Sequence, residues 1–313
     1  MPNVNSALKE KIKETVPRPW LHRAKTFYQQ QKVERSGLQT AWADAGTDPA
    51  WLSTPDLEAL VLEYPTLEAE SQLADYYAPG TLLERGTRRR ALLQRVLGSA
   101  YDAAHEFLET GGADGMVGYA LAQSGKRATT VDIRSDDFEP RAREAGVRFI
   151  EANVSELDLP DGCMDVVYSF DAFEHYEGPE AALREAIRLT RPGGHIYLRF
   201  GPLYRSPDGM HLGSRLGVPY APVLFQKHTI DDYLVERGRD PINHEHCNEW
   251  TLAQFRRLFS SVGDQLELIE SYDHRDLSAV DLIRRFPSCF RGKCQDLDEF
   301  LVAILEVLFR KRA

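Results

Sequence analysis

A glycine-rich run over residues 109–118 carries the clearest chemical signal in the chain. Gly111, Gly112 and Gly115 lie between a predicted strand and a predicted helix. Glycine lets the backbone turn sharply and lets a ligand approach the main chain closely. The amino end of the following helix offers free N–H groups and a partial positive charge. We interpret the run as a ligand-binding loop, although a tight strand-to-helix connection uses the same residues.

An acidic residue ends the next predicted strand, which covers residues 129–133. A carboxylate in the position of Asp132 can accept both hydroxyls of a ribose, as in dinucleotide-binding folds. Asp132 taken alone could equally cap the helix that follows. Because the glycine run and the acid occur in register, together they predict a site for a nucleoside-containing cofactor.

Residues 202–233 are rich in glycine, proline, tyrosine and histidine and predict a long loop or lid. His211 could act as a general base, because imidazole titrates near neutral pH. Tyr204, Arg205 and Tyr220, together with His211, could bind a substrate there. The alternative for His211 is a solvated loop residue. We expect this segment to form one wall of an acceptor site and to become more ordered with ligand.

The run His244-Glu245-His246-Cys247 is the most metal-like cluster in the sequence. It lacks the paired ligand spacing of structural zinc sites. We therefore expect a polar loop here and no bound metal.

Strands and helices must position these residues. Over residues 104–201, short apolar runs alternate with helical patterns, which predicts an α/β fold with a parallel sheet and helices on both faces. Such sheets bind ligands outside the carboxyl ends of their strands. The residue types of an apolar run at 300–309 permit a strand or a helix, and we favour a strand that completes the sheet. Residues 1–100 are punctuated by prolines and predict a helical N-terminal cap.

The predicted organisation is thus the cap over 1–100 and a larger domain over 101–313, with an insertion at about 202–250. Arg88, Arg89 and Arg90 precede the larger domain. We interpret them as a solvated helix face, the alternative being contact with an anionic group of a substrate.

Composition limits the classes of partner. Lys plus Arg number 38 and Asp plus Glu 48, so the formal net charge is −10. This balance argues against a dedicated nucleic-acid binder. The sequence shows no apolar segment of signal-peptide or membrane-spanning length. Four irregularly spaced cysteines imply no disulfide framework, which favours a reducing, cytoplasmic location. The oligomeric state is left open.

An ordered series of motifs resembles the class I S-adenosylmethionine-dependent methyltransferases, in particular the small-molecule branch that includes ubiquinone-biosynthesis and sugar methyltransferases. The resemblance covers about residues 100–201 well and the remainder to 313 more weakly. The motifs are the glycine run that begins at Glu109, Val131-Asp132-Ile133, Leu159-Pro160-Asp161-Gly162-Cys163-Met164-Asp165-Val166-Val167, Ala181-Leu183-Arg184-Glu185 and Arg191-Pro192-Gly193-Gly194-His195-Ile196.

The resemblance implies a Rossmann-like seven-stranded sheet in the order 3-2-1-4-5-7-6, with strand seven antiparallel. It also implies roles for matched positions around S-adenosylmethionine, with S-adenosylhomocysteine as the product. The cofactor-binding positions are Glu109, Gly111, Gly112 and Gly115 around the methionine part, Asp132 and Ile133 at the ribose, Asn153 and Val154 at the adenine, and Phe170 and Asp171 under the sulfonium. His175 is placed near the methyl group, where it joins His211 as a catalytic candidate. The alternative for His175 is a structural hydrogen bond.

Two departures from the family pattern bear on function. Ala113 replaces the middle glycine of the usual loop, and Asn153 replaces the usual acid. Asn153 can still accept from an adenine amino group. The leading interpretation is methyl transfer to a small-molecule acceptor, with oxygen of a sugar or secondary metabolite favoured. A non-catalytic protein of the same fold is the first alternative, and a nucleic-acid or protein methyltransferase is the second.

Overall fold

The computed structural model describes residues 16–65, 76–212 and 215–313. Seven strands of these residues form a single sheet. The strands are β1 (Glu106–Thr110), β2 (Arg127–Asp132), β3 (Arg148–Glu151), β4 (Met164–Phe170), β5 (Thr190–Phe200), β6 (Leu266–Arg275) and β7 (Val302–Lys311).

The strand order is β3-β2-β1-β4-β5-β7-β6. β1 to β5 pair in parallel, whereas β7 is antiparallel to both β5 and β6. The α/β fold, the strand order and the antiparallel seventh strand are thereby confirmed. The carboxyl ends of the parallel strands lie along one edge, which is where the glycine run and Asp132 are found.

Helices surround the sheet. They are α1 (Arg18–Arg35), α2 (Leu38–Asp44), α3 (Thr54–Glu63), α4 (Pro79–Leu97), α5 (Ser99–Ala103), α6 (Met116–Ala122), α7 (Pro140–Glu144), α8 (Pro179–Leu189), α9 (Ala221–Leu224), α10 (Lys227–Val235), α11 (Leu252–Ser261), α12 (Val280–Arg285), α13 (Pro287–Arg291) and α14 (Asp298–Leu301). α11 begins where the sequence predicts it, because Thr251 and Gln254 form a capping box.

Consecutive residues of β4 supply the two hydrophobic layers of the sheet. Val166 and Tyr168 pack in one cluster with residues of α4, α6 and α7. Val167 packs in another cluster with residues of α8 and α11. Side chains alternate along a strand, so a continuous apolar run is buried on both sides. The helices on both faces are therefore confirmed.

The segment after β5 differs from the predicted unstructured lid. It contains α9 and α10, and Leu216, Tyr220 and Phe225 are among its many buried side chains. These residues share a third hydrophobic cluster with Leu38 and Leu57 of the N-terminal helices. Residues 213–214 lie outside the described part. The physical reason for the difference is that long-range packing, not a local pattern, buries these apolar side chains.

The described part of the N-terminal cap consists of helices joined by loops such as residues 45–53, and residues 1–15 and 66–75 lie outside that part. Its helices pack in two places. α2 and α3 contribute to the cluster with the segment after β5. α4 packs against α6 instead, with Leu93 and Val96 in the core beside the sheet. The structure thus offers no packing boundary at residue 100, because α4 and α5 cover the sheet itself.

Among the described helices, none combines the length and the apolar character that crossing a bilayer would require.

Candidate functional site

The glycine loop leaves β1 and turns into α6 through two residues in the left-handed region. Gly111 has φ +69° and Gly115, which precedes α6, has φ +68°. A Cβ on Gly111 would overlap the Cβ of Ala172 and lie 2.8 Å from the Tyr176 hydroxyl. A Cβ on Gly112 would lie 2.6 Å from Thr130 Cγ2. Only glycine fits at these two positions, because neighbouring side chains already occupy the space that a Cβ would need.

Asp132 is tied to this loop. Its Oδ2 accepts a hydrogen bond from the Ala113 backbone nitrogen at 3.0 Å, and its Oδ1 accepts from Arg134 N at 3.3 Å. Ala113 itself has φ +31°, which is unusual for a residue with a side chain. The carboxylate is half-buried at the carboxyl end of β2 and retains lone pairs for a further donor.

Glu109 lies beneath the loop in the core. Its Oε2 is 3.3 Å from the Tyr168 hydroxyl, which donates to it. Burial, and then the charge of Asp114, raise the pKa of Glu109 to about 8. The carboxyl is therefore largely protonated at neutral pH, and a cation bound nearby would favour its ionised form.

Helix α4 fastens two of the loops that follow strands. The Arg85 guanidinium donates to Asp114 Oδ2 at 2.6 Å, and Arg89 donates to Asp171. Arg88 is exposed, and its guanidinium lies 3.8 Å from the carboxylate of Glu84, one helical turn earlier. The interpretation of the arginine run as a solvated face is right for Arg88 and wrong for Arg89, because neighbouring residues on a helix point in directions about 100° apart.

The expected adenosine-binding residues lie around the ends of β2 and β3. Ile133 is 67% exposed, which is unusual for a large apolar side chain. Asn153 is exposed and its Oδ1 accepts from Ser155 N at 2.9 Å, while Val154 is buried. An apolar side chain, an amide and the Asp132 carboxylate thus lie near one another at these strand ends.

Phe170 and Asp171 end β4 with different environments. Phe170 is buried in the core, with Arg89 over its ring at 5.1 Å. Asp171 has φ +49°, and its carboxylate also lies 3.4 Å from Arg199. The two arginines neutralise this carboxylate at the edge of the sheet.

Three histidines converge beside this strand end. His175 belongs to a short 3₁₀ turn over Phe173–His175, and His211 and His246 come from the long segment after β5. The ring centroid of His175 lies 5.0 Å from that of His211 and 4.5 Å from that of His246. His175 Nδ1 lies 2.6 Å from the backbone oxygen of His246. Since a carbonyl only accepts, Nδ1 carries the proton and Nε2 of His175 has a free lone pair.

Burial tunes the titratable groups of this cluster. Burial, and then the neighbouring His175 and His246, lower the pKa of His211 to about 4. Burial, His175 and Arg134 lower the pKa of His246. Burial raises the pKa of Glu174, which precedes His175, to about 8.

The expected substrate-binding residues are dispersed. Tyr204 is buried beside Glu249, and burial followed by that carboxylate raises its pKa. Arg205 lies 3.7 Å from the buried Glu299. Tyr220 is fully buried and its hydroxyl donates to Phe300 O at 3.1 Å. Of the four, the structure brings only His211 beside His175.

His246 is the residue of this site that the sequence interpretation missed. The His244-Glu245-His246-Cys247 run gave a signal, but His244 bonds to Asp231 Oδ2 at 2.8 Å and lies apart. Cys247 Sγ lies 3.9 Å from His175 Nδ1. A pairing of His246 with His175 and His211 depends on the tertiary fold, so no local spacing could have shown it.

Comparisons with known proteins show similarity in the part of the chain that holds the glycine loop and Asp132. A model of the methyltransferase domain matches residues 108–198. A malonyl-[acyl-carrier protein] O-methyltransferase of Pectobacterium atrosepticum is 33% identical over 115 residues, which are 34% of this chain and 46% of that protein. A ubiquinone biosynthesis O-methyltransferase of Pseudomonas fluorescens is 27% identical over 136 residues, 41% of this chain and 57% of that protein. The chain thus spans about half the length of these curated relatives.

A crystal structure of a Pyrococcus horikoshii OT3 protein aligns with a TM-score of 0.46 and 14% identity, over 76% of this chain and 96% of that one. The matched region, 108–198, holds the glycine loop, Asp132 and the end of β4. The matching domain and the seven-stranded sheet order agree. Residues 108–198 of this chain are therefore similar to a methyltransferase domain, and the curated relatives that the chain matches include O-methyltransferases.

Proposed function

We propose that this protein transfers a methyl group from S-adenosylmethionine to an oxygen atom of a small-molecule acceptor. The observation that carries the proposal is one of placement. The glycine loop and the Asp132 carboxylate lie along the same sheet edge as His175 and His211. A site for the cofactor and two groups able to accept a proton are therefore side by side.

The residues at the edge fit the cofactor. Gly111 and Gly112 pack directly against Ala172 and Thr130, and this close packing fixes the course of the loop. Asp132 keeps acceptor capacity for ribose hydroxyls, and the exposed Ile133 offers an apolar surface to a base. Glu109 lies under the loop, where its carboxyl would respond to the charge of the methionine part.

S-Adenosylmethionine, when bound, supplies an electrophilic methyl group on a sulfonium. This chain would then align the acceptor, exclude water and take up the proton of a hydroxyl. His175 and His211 are the residues we propose for that proton, because they meet beside the end of β4. His175 is oriented for it by the bond from its Nδ1 to the His246 carbonyl.

We propose that the segment after β5 forms one wall of the acceptor site. We propose that His211 contacts the acceptor and that Tyr204 and Arg205 support the wall from behind. Tyr220 holds the segment to α14 through its bond to Phe300 O, since it is too deeply buried to touch a substrate. The curated relatives include O-methyltransferases, which supports oxygen as the atom methylated.

A labelled-methyl screen tests this function. The protein is incubated with S-adenosylmethionine carrying an isotopically labelled methyl group and a library of small hydroxylated molecules, and products are detected by mass spectrometry. We expect label in an acceptor oxygen, with much less transferred by Asp132→Ala when the cofactor concentration is below saturation. If the protein binds the cofactor but transfers its methyl group to no acceptor even over long incubation, the result would instead support a non-catalytic protein of this fold.

A further inference from the structure

Three imidazoles meet outside the cofactor loop in a geometry suited to a metal ion. His175, His211 and His246 each offer one ring nitrogen, and these nitrogens all lie within 4.8 Å of one another. Nitrogens of three histidines on one zinc ion lie closer than this, since each Zn–N bond is about 2.0–2.1 Å. Small side-chain rotations would close the difference, and His246 is exposed and has room to move.

The hydrogen bonds of His175 match those of a metal-binding histidine. Such a histidine usually donates its other ring N–H to a carboxylate or a backbone carbonyl, which fixes its tautomer. His175 Nδ1 bonds to the His246 carbonyl at 2.6 Å, and its Nε2 lies 3.8 Å from a carboxylate oxygen of Glu174. The free nitrogen of His175 is thus beside an acidic group.

His211 gives an independent observation. Its Nε2 is buried and has no hydrogen-bond partner among the residues that the structure describes. A buried polar atom without a partner is unfavourable, and native proteins rarely leave one. A cation shared with His175 and His246 would satisfy this nitrogen.

We propose that His175, His211 and His246 together bind one Zn²⁺ or a similar divalent transition metal. Imidazole ligands suit zinc, whereas magnesium and calcium prefer oxygen. Three protein ligands leave a fourth position open, as in catalytic zinc sites. The proposal replaces the expectation of no metal, which considered only ligands close together in sequence.

A second cluster, His22, His274 and Glu306, is less suited to a metal. Glu306 already accepts from Arg18, from His274 Nε2 at 2.7 Å and from the Tyr197 hydroxyl at 2.9 Å. Its oxygens are committed, and a metal would have to displace the arginine.

An ion at the three histidines would occupy the ring nitrogens proposed above for proton uptake. In the metal-loaded protein the ion would take over that role: it could hold an acceptor hydroxyl and lower its pKa, so that the proton leaves to solvent, a consequence that rests on the proposed function. Metal binding itself does not depend on methyl transfer and can be measured alone.

The test is a zinc titration of protein first freed of metal by a chelator and dialysis. Calorimetry and competition with a chromophoric chelator should show one Zn²⁺ per chain, and Co²⁺ in its place should give visible d–d absorption. His246→Ala and His211→Ala should each weaken zinc binding at least 100-fold. His244→Ala is the matched control from the same loop and should bind as the wild type does. Circular dichroism checks that each variant is folded. If His211→Ala unfolds, His246→Ala decides the test, because His246 is exposed and its replacement should leave the fold intact.

Absence of zinc binding by the wild type, or unchanged binding by His246→Ala, would overturn the metal site. S-Adenosylmethionine is titrated into the same metal-free preparation. Zinc binding without cofactor binding would refute the proposed function alone, and cofactor binding without zinc binding would refute the metal site alone.

Discussion

Arg85 of helix α4 donates a hydrogen bond to Asp114 of the glycine loop, with 2.6 Å between guanidinium nitrogen and carboxylate oxygen. Asp114 in turn accepts from the Met116 backbone nitrogen at 2.8 Å and so caps α6. The N-terminal helix therefore helps to set the position of the loop that we assign to the cofactor.

Loss of this ion pair should destabilise the fold. Arg85→Ala leaves the largely buried Asp114 carboxylate without its counter-ion, which should lower the free energy of unfolding by about 1.5–3 kcal/mol. Arg88→Ala, three residues on and 71% exposed, is the control and should change it by less than about 0.5 kcal/mol. Urea unfolding measures both, and equal effects would refute the anchoring role.

Gly111 should tolerate no side chain. Gly111→Ala combines a left-handed φ of +69° with overlap against Ala172 and Tyr176. Gly146→Ala has a similar φ of +84° but no atom within 4 Å of the new Cβ, so it isolates the backbone cost of about 1–2 kcal/mol. We expect Gly111→Ala to lose clearly more stability than Gly146→Ala and to bind cofactor weakly. Thermal unfolding that shows the same loss for both would contradict the close packing of the loop.

Acid should weaken the attachment of helix α1. Burial alone would raise the pKa of Glu306, but the hydrogen bond from His274 and the charge of Arg18 outweigh it and lower the pKa to about 2 from an ordinary 4.5. The carboxylate therefore contributes stability that is fully present above about pH 4.5 and is lost as the pH falls towards 2. The contribution is about 3 kcal/mol.

Glu306→Gln removes that contribution and should flatten the fall in stability between pH 5 and pH 3 in urea unfolding. It should also be less stable than the wild type at pH 7, because the buried Arg18 would keep only the more distant Glu270 carboxylate, 3.8 Å away, as a counter-ion. If the free energy of unfolding falls equally in the two proteins between pH 5 and pH 3, Glu306 is not the group responsible for the loss of stability in acid.

His211 should matter for turnover and not for cofactor affinity. With an acceptor identified by the labelled-methyl screen, His211→Ala should lower kcat at least about tenfold, which is about 1.4 kcal/mol of transition-state stabilisation. His228→Ala, an exposed histidine on α10, is the matched control and should keep full turnover. Normal kcat in His211→Ala would remove His211 from the acceptor site.

The fold was largely predictable because its signals are local. β4, residues 164–170, is a short apolar run between polar turns, and such runs are the basis of the predicted alternation of strands and helices over residues 104–201. The start of α11 was likewise predictable from the Thr251 and Gln254 pair. The last strand, β7, followed from the apolar run after residue 300.

The segment after β5 was predicted poorly because its apolar residues have no regular period. Tyr220 and Phe225 are buried by α2, α3 and α13, elements far away in sequence. The same reason hid the histidine cluster, since His246 meets His175 only when the segment folds back over the sheet. Arg89 was misjudged because a run of three arginines does not show which of them faces the protein.

Calorimetric titration of the wild-type protein and of Asp132→Ala with S-adenosylmethionine tests the central claim most directly. Asp132 should supply hydrogen bonds to the ribose worth on the order of 1.5–3 kcal/mol each, so the variant should bind at least about tenfold more weakly. Thermal unfolding of the variant should show a smaller loss in stability than the loss in binding, although Asp132 also accepts hydrogen bonds from Ala113 N and Arg134 N. One cofactor per wild-type chain and a clear loss in the variant is the predicted result. No binding by the wild type, or equal binding by both proteins, would contradict the assignment of this edge to the cofactor.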